Sequence, residues 1–260
     1  MAARNNATRN NATRTHTVPL RPRRRLWAMG LLAIVLGIFV IARIPVSTDQ
    51  GVNGVVTSYR IPLYVKTLDF LQREVNYGRL AESLTRSASG DEARALQLFD
   101  WTRANIRDVP SGFPVVDDHV WNIVIRGYGQ DDQKADVFTT LAAYAGLRAY
   151  WMLLRRPPRA VLPISLVQIE HRWRVFDVAN GIVFRNSRGE LATPEELASD
   201  PALVATLAGP TLVYGGHPYD AYFKGFQAPT PPDLTRAEIQ MFWPRLEFQV
   251  RRLTGLGRRQ

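Results

Sequence analysis

The stretch GYGQDDQKADVFTTLAAYAG (127–146) decides the fold. Gly127 and Gly129 allow a tight approach to a helix start, where Asp131 or Asp132 serves as cap. Ala135, Phe138, Ala142 and Ala145 then recur at helical spacing, which predicts a buried stripe, and Gly146 stands where a helix stops. Past Gly146 the period changes. RAYWMLL (148–154), VLPISLVQIE (161–170) and RWRVFDV (172–178) read as strands, the last two joined by a tight turn at His171-Arg172.

The chain before residue 127 reads as helical. Leu63, Val65, Leu68, Leu71, Val75 and Leu80 set one helix, with Gly78 as a break. A loop at 87–91 leads into a second helix to Ile106, carrying Ala95, Leu98 and Phe99. The loop 108–116 precedes a short helix near Asp118 with Val120, Ile123 and Val124. Beyond the strands, 194–207 returns to helix, and the part from Tyr219 on is aromatic-rich and ends in a helix broken at Pro244. Helices followed by an antiparallel sheet make an α+β class.

The N-terminal region is of another kind. Residues 1–25 carry the repeat RNNATRNNATRT and no apolar periodicity, which predicts a disordered tail. LWAMGLLAIVLGIFVIA (26–42) then runs without a charge to Arg43. As a helix it spans about 26 Å, close to the hydrocarbon thickness of a bilayer. The expectation is a transmembrane anchor at 26–44, a linker at 45–60 and a folded domain at 61–260. Val40-Ile41-Ala42 is also compatible with cleavage after Ala42, which keeps a removed signal peptide open. Arg21, Arg23, Arg24 and Arg25 on one flank place the N-terminus in the cytoplasm and export the rest.

This segment also explains the net charge of +10. Residues 1–25 hold seven Arg and no acid, and Arg43 adds one, so +10 less eight leaves +2 for the remainder. A nucleic-acid-binding domain concentrates its basic residues on the fold, so nucleic acid is not expected as a partner. With no cysteine in the chain, disulfides, thiolate metal sites and a thiol nucleophile are excluded.

Four segments, in this order and spacing, resemble the transglutaminase-like family, whose fold is that of the papain-type cysteine peptidases. They are ARALQLFDWTRANI, G-Y-G-Q-x-D-Q-K-A opening a helix, G-L-R-A after it, and R-W-R-V-F-D on the hairpin, together covering roughly residues 92–185. The resemblance implies helices packed on an antiparallel sheet. It also implies a Cys at the helix start after Gly-x-Gly, a His on the next strand and an Asp one strand further. Asp131 stands in the nucleophile position here, and Asp177 matches the orienting Asp. The 161–169 strand contains no His. With the turn at 171–172, Leu166 faces Asp177, and Ile164 and Ser165 are the expected replacements. Two of three members are therefore missing. An Asp at a helix N-terminus caps it, worth roughly 0.5–2 kcal/mol over Ala, and is a weak nucleophile.

Of the other histidines, His16 lies in the tail and His171 in a turn. His119 near a helix start and His217 on a Gly/Pro-rich loop are ordinary surface residues or helpers of a rearranged site. No HExxH or HxxxH spacing occurs, and neither metal nor cofactor is expected. Ser111, Ser165 and Ser187 lack a nucleophile elbow, and Gly127–Gly129 is not a phosphate loop. Tyr214, Tyr219, Tyr222, Phe223 and Phe226 line a groove or fill a core. Arg251, Arg252, Arg258 and Arg259 touch anionic lipid or form a solvated helix end.

The expectation is a membrane-anchored, catalytically inactive transglutaminase-like protein, a binding or scaffold module of the cell envelope. Its partners would be the bilayer and an envelope protein, peptide or glycan. The alternative is an envelope hydrolase or acyl-transfer enzyme that uses Asp131, Asp177 and His119 or His217. A histidine bonded to Asp177 and facing Asp131 across an open cleft favours the enzyme.

Overall fold

The computed structural model describes residues 22–52, 55–114, 117–209, 211–227 and 230–254, without the side chains of 22–25, 52, 201, 249, 252 and 253. The expected disordered tail lies outside these residues, apart from 22–25, which begin a helix.

That helix, α1 (Pro22–Ala42), presents its apolar side chains outward: every large apolar residue from Leu26 to Ile41 is more than half exposed. Among the described residues no helix is long and apolar enough to cross a membrane. The expected linker is an antiparallel hairpin of β1 (Pro45–Val52) and β2 (Val55–Pro62). Its polar, Gly-containing sequence masked the pairing of alternating Val, Thr and Tyr residues.

Three longer helices follow: α2 (Leu63–Thr85), α3 (Asp91–Asn105) and, after the short α4 (Val120–Arg126), α5 (Asp131–Tyr144). α2 passes through Gly78 without a break, because Tyr77 and Ala81 on either side are fully buried against the core. α3 has Asp91 and Glu92 in its first turn and Arg103 in its last, matching the helix dipole.

α5 is central. Its residues 133–143 are all buried, so the expected stripe is in fact a helix enclosed on every side. It ends in a Schellman motif: Gly146 (φ 86°) donates to the Ala143 carbonyl and Leu147 to that of Ala142.

The sheet has the order β3 (Ala149–Arg156), β4 (Ala160–Ile169), β5 (Arg172–Asp177), β6 (Ile182–Val183), all antiparallel. Side chains alternate between its faces. Val167, Ile169 and Phe176 pack against α3 and α5, where the rings of Phe99, Phe138 and Phe176 meet at 5.3–5.9 Å. Leu162, Ile164, Leu166 and Val175 face the opposite layer with Phe184, Tyr219 and Phe223. β4 is covered on both faces, which explains its continuous apolar run. Pro163 is tolerated there because it pairs with Leu153 only, β5 reaching no further than Ser165.

The opposite layer comes from the C-terminal third. The expected helix 194–207 is divided into α6 (Pro194–Ser199) and α7 (Pro201–Ala208), since Pro201 holds Asp200 out of helical geometry (φ −126°, ψ 82°). A small hairpin follows, β7 (Val213–Tyr214) and β8 (His217–Pro218), then a 3-10 turn Tyr219–Phe223, α8 (Arg236–Gln240) and α9 (Phe242–Thr254). Pro244 does not break α9; it sits in the first turn, where no backbone N–H is needed. The result is an α+β fold with helical layers on both faces of one antiparallel sheet.

Candidate functional site

Asp131 is the first residue of α5, and the cap is the residue before it, Gln130, whose N–H donates to Gln133 Oε1 at 3.0 Å. Asp131 therefore does not cap the helix as expected. Asp132 accepts the Gln133 N–H instead, at 2.9 Å. The Asp131 carboxylate is free to turn outward, and it accepts the hydroxyl of Tyr214 at 2.6 Å. Lys134, one turn on and buried, lies 3.6 Å from it and also pairs with Asp108.

Asp177 ends β5 and is fully buried. Three donors converge on it: the Asn180 N–H at 2.9 Å, the Asn180 side-chain amide at 2.8 Å and the hydroxyl of Tyr219. Burial nevertheless outweighs these donors and pushes its carboxyl above the usual range, with the charge of Asp131 adding to the rise.

The expected register is corrected here. The turn lies at Glu170-His171, both with positive φ (50° and 65°), not at 171–172. Leu166 therefore faces Val175, and Ser165 faces Phe176. Continuing that register places Ile164 opposite Asp177. Ser165 belongs to the other face by alternation; it is fully buried, and its Oγ has no hydrogen-bond partner among the described residues. Neither residue supplies a base.

The histidines go elsewhere. His119 precedes α4, donates its backbone N–H to Asp117 at 2.8 Å and meets Arg73 through Nε2. Burial lowers its pKa, with the Arg73 charge adding to the fall. It lines a cavity of about 700 Å³ between the β1–β2 hairpin, α2 and α4, with Gln50, Asp69, Arg73, Asp117 and Arg236. Neither Asp131 nor Asp177 lines that cavity. His217 pairs with Tyr214 across the β7–β8 hairpin and stacks edge-on against Tyr222 at 6.2 Å. Among the described residues, no histidine hydrogen-bonds to either carboxylate.

The aromatic cluster 214–226 turns out to be core: Tyr219, Tyr222, Phe223 and Phe226 are buried. Tyr222 donates its hydroxyl to the Tyr214 carbonyl at 3.0 Å and so fixes the hairpin over Asp131. Burial, and then the adjoining carboxylates, push the Tyr214 and Tyr219 hydroxyls far above their ordinary range, so both act as donors and neither as a base. Sequence reasoning missed these two tyrosines as partners of the aspartates. It also missed Asn180, for which the Asp-x-x-Asn-Gly spacing at 177–181 is a turn signal.

Among the described residues no imidazole or thiol stands beside either carboxylate. The arrangement offers two carboxylates, each held by a tyrosine of the segment 213–223. Among the described residues no cluster of His, Asp and Glu suited to a metal ion occurs.

No family profile matches the sequence, and no curated protein matches it. Solved structures are similar to part of it, among them two candidate proteases. One is described as a candidate protease of Parabacteroides distasonis: 12% identical, TM-score 0.33, covering 52% of this chain and 36% of that one. The other is described as a candidate cysteine protease of Cytophaga hutchinsonii: 13% identical, TM-score 0.37, covering 52% of this chain and 53% of that one. The chain thus spans about a third and about half of the lengths of these two proteins.

Proposed function

We propose that this chain is a membrane-anchored, catalytically inactive transglutaminase-like domain that serves as a binding or scaffold module in the cell envelope. The observation that carries the reading is the pairing of Asp131 with Tyr214 and of Asp177 with Tyr219 at the two positions where the family resemblance calls for nucleophile and orienting acid. A carboxylate that accepts a hydrogen bond from a phenol is a poor nucleophile toward an amide, and among the described residues no imidazole hydrogen-bonds to either aspartate.

The anchor reading rests on α1. Its large apolar side chains point outward, uncovered by the other described residues, and a bilayer is the solvent that such a surface fits. The Arg cluster at 21–25 favours an N-terminus in the cytoplasm and a domain outside it. The cavity beside His119, with Arg73, Asp69 and Arg236 on its walls, offers polar and charged groups to a peptide or glycan.

Fractionation and cross-linking test this in cells that make the full chain. The expected result is a chain that detergent but not high salt releases from membranes, cross-linked from outside to a defined protein, peptide or glycan. A salt-released chain, or one with no cross-linked partner, contradicts the proposal.

A further inference from the structure

α9 is not accounted for by the core or by the paired carboxylates. At 3.6 residues per turn, Phe242, Trp243, Leu246 and Val250 fall within about 100° of one another. All four are exposed, Trp243 by 72%. Arg245 and Arg251 stand on the two sides of this apolar face, and Arg251 also pairs with Glu247 along the helix. FWPRLEFQVRRLT carries three Arg against one Glu, and Arg258 and Arg259 follow in the sequence.

The position of α9 points to its occupant. The Leu63 N–H, at the start of α2, donates to the Ile44 carbonyl at 2.9 Å, so α2 begins where the apolar α1 ends. The Phe70 ring on α2 meets Phe242 at 6.4 Å. Phe70 stands seven positions after Leu63, which puts the start of α9 about 10 Å along α2 from the end of α1. A bilayer that holds α1 therefore has its surface close to α9. A helix with Trp and Phe on an apolar face and arginines beside it is suited to lie in the headgroup layer of anionic lipid.

We infer that α9 lies in the surface of an anionic bilayer, apolar face inward, and is a second membrane contact beside α1. The inference rests on the anchor reading of α1 for where the membrane is. It gives the domain a fixed orientation, since a helix in the membrane plane removes the rotation that a single anchor leaves.

The absence of cysteine makes the test direct. Single variants Leu246→Cys, Val250→Cys, Glu247→Cys, Arg251→Cys and, in α1, Ile34→Cys are nitroxide-labelled in the full chain. Each is reconstituted into vesicles of phosphatidylcholine or of an equimolar mixture with phosphatidylglycerol. The preference for oxygen over a nickel chelate as relaxing agent reports depth.

The expected result is a several-fold higher preference at 246 and 250 than at 247 and 251, in anionic vesicles and much reduced in neutral ones. Water-exposed labels all along α9 with a lipid-exposed label at 34 leave the anchor standing and overturn this proposal. Lipid-exposed labels at 246 and 250 with a water-exposed label at 34 support α9 and sink the anchor. Dipolar broadening between labels at 246, or equal depth in neutral vesicles, also overturns it, the first by showing a second copy on this face.

Discussion

Tyr219, in the 3-10 turn, donates its hydroxyl to the buried carboxylate of Asp177 on β5, 42 positions earlier in the chain. The bond ties the C-terminal layer to the end of β5, an inner strand of the sheet. The same layer reaches Asp131 through Tyr214, so one segment holds both aspartates.

Removing that hydroxyl leaves a buried carboxylate with one donor fewer. Tyr219→Phe is expected to cost about 1.5–3 kcal/mol, the range for hydrogen bonds to charged groups. Because Tyr219 holds the Asp177 carboxyl down against burial, the variant also raises that carboxyl further. Thermal melts of wild type and variant at neutral and mildly acid pH check both effects. The loss should be larger at neutral pH, where Asp177 is asked to ionise.

A second pH effect comes from Asp136. It is buried on α5, bonded to Trp151 Nε1 at 3.1 Å and paired with Arg236 at 3.0 Å. Burial outweighs Arg236 and raises its pKa from 3.8 to about 6. A raised carboxyl gives stability that is full below about pH 4 and is lost as pH rises through about 6. Asp136→Asn has no such slope. Relative to wild type, its melting temperature should therefore improve between pH 4 and 7; a difference independent of pH contradicts the assignment.

The hairpin turn at Glu170-His171 places two ordinary residues at positive φ. Left-handed geometry costs about 1–2 kcal/mol for each residue with a Cβ, less for Asn and little for Gly. Glu170→Asn with His171→Gly is expected to stabilise the domain by about 1–2 kcal/mol, read as a shift in denaturation midpoint with unchanged slope.

The same turn shows where legibility ended. The order of helices and strands could be read because apolar periods are long and change sharply after Gly146. The turn could not, because Glu-His carries none of the Gly or Asn that marks such turns; its misplacement by one residue at each end moved the partner of Asp177 from Ile164 to Leu166. Asp131 and Asp177 were legible as positions, through motif spacing. Their partners were not, since Tyr214 and Tyr219 arrive from 83 and 42 residues away, and only packing brings them there. The hairpin 45–62 was hidden by polar composition, and the division at Asp200-Pro201 by an apolar period that spans it.

At the centre of the core, Phe176 contacts both Phe99 and Phe138. Phe176→Ala should cost about 3–5 kcal/mol by loss of packing and the cavity left behind. It also loosens β5 one residue before Asp177, so the segment 213–223 should gain proteolytic sensitivity together with the global loss.

The proposed reading holds that no amide hydrolysis or acyl transfer takes place where Asp131 and Asp177 stand. The direct measurement is turnover by the purified full chain in detergent, on peptide amides with and without an amine acceptor, beside Asp177→Asn. Near-ultraviolet circular dichroism verifies the fold of each. The prediction is release of ammonia or amine at the buffer rate for both proteins. Turnover by the wild type that Asp177→Asn abolishes while the fold is kept would contradict it and establish a catalyst.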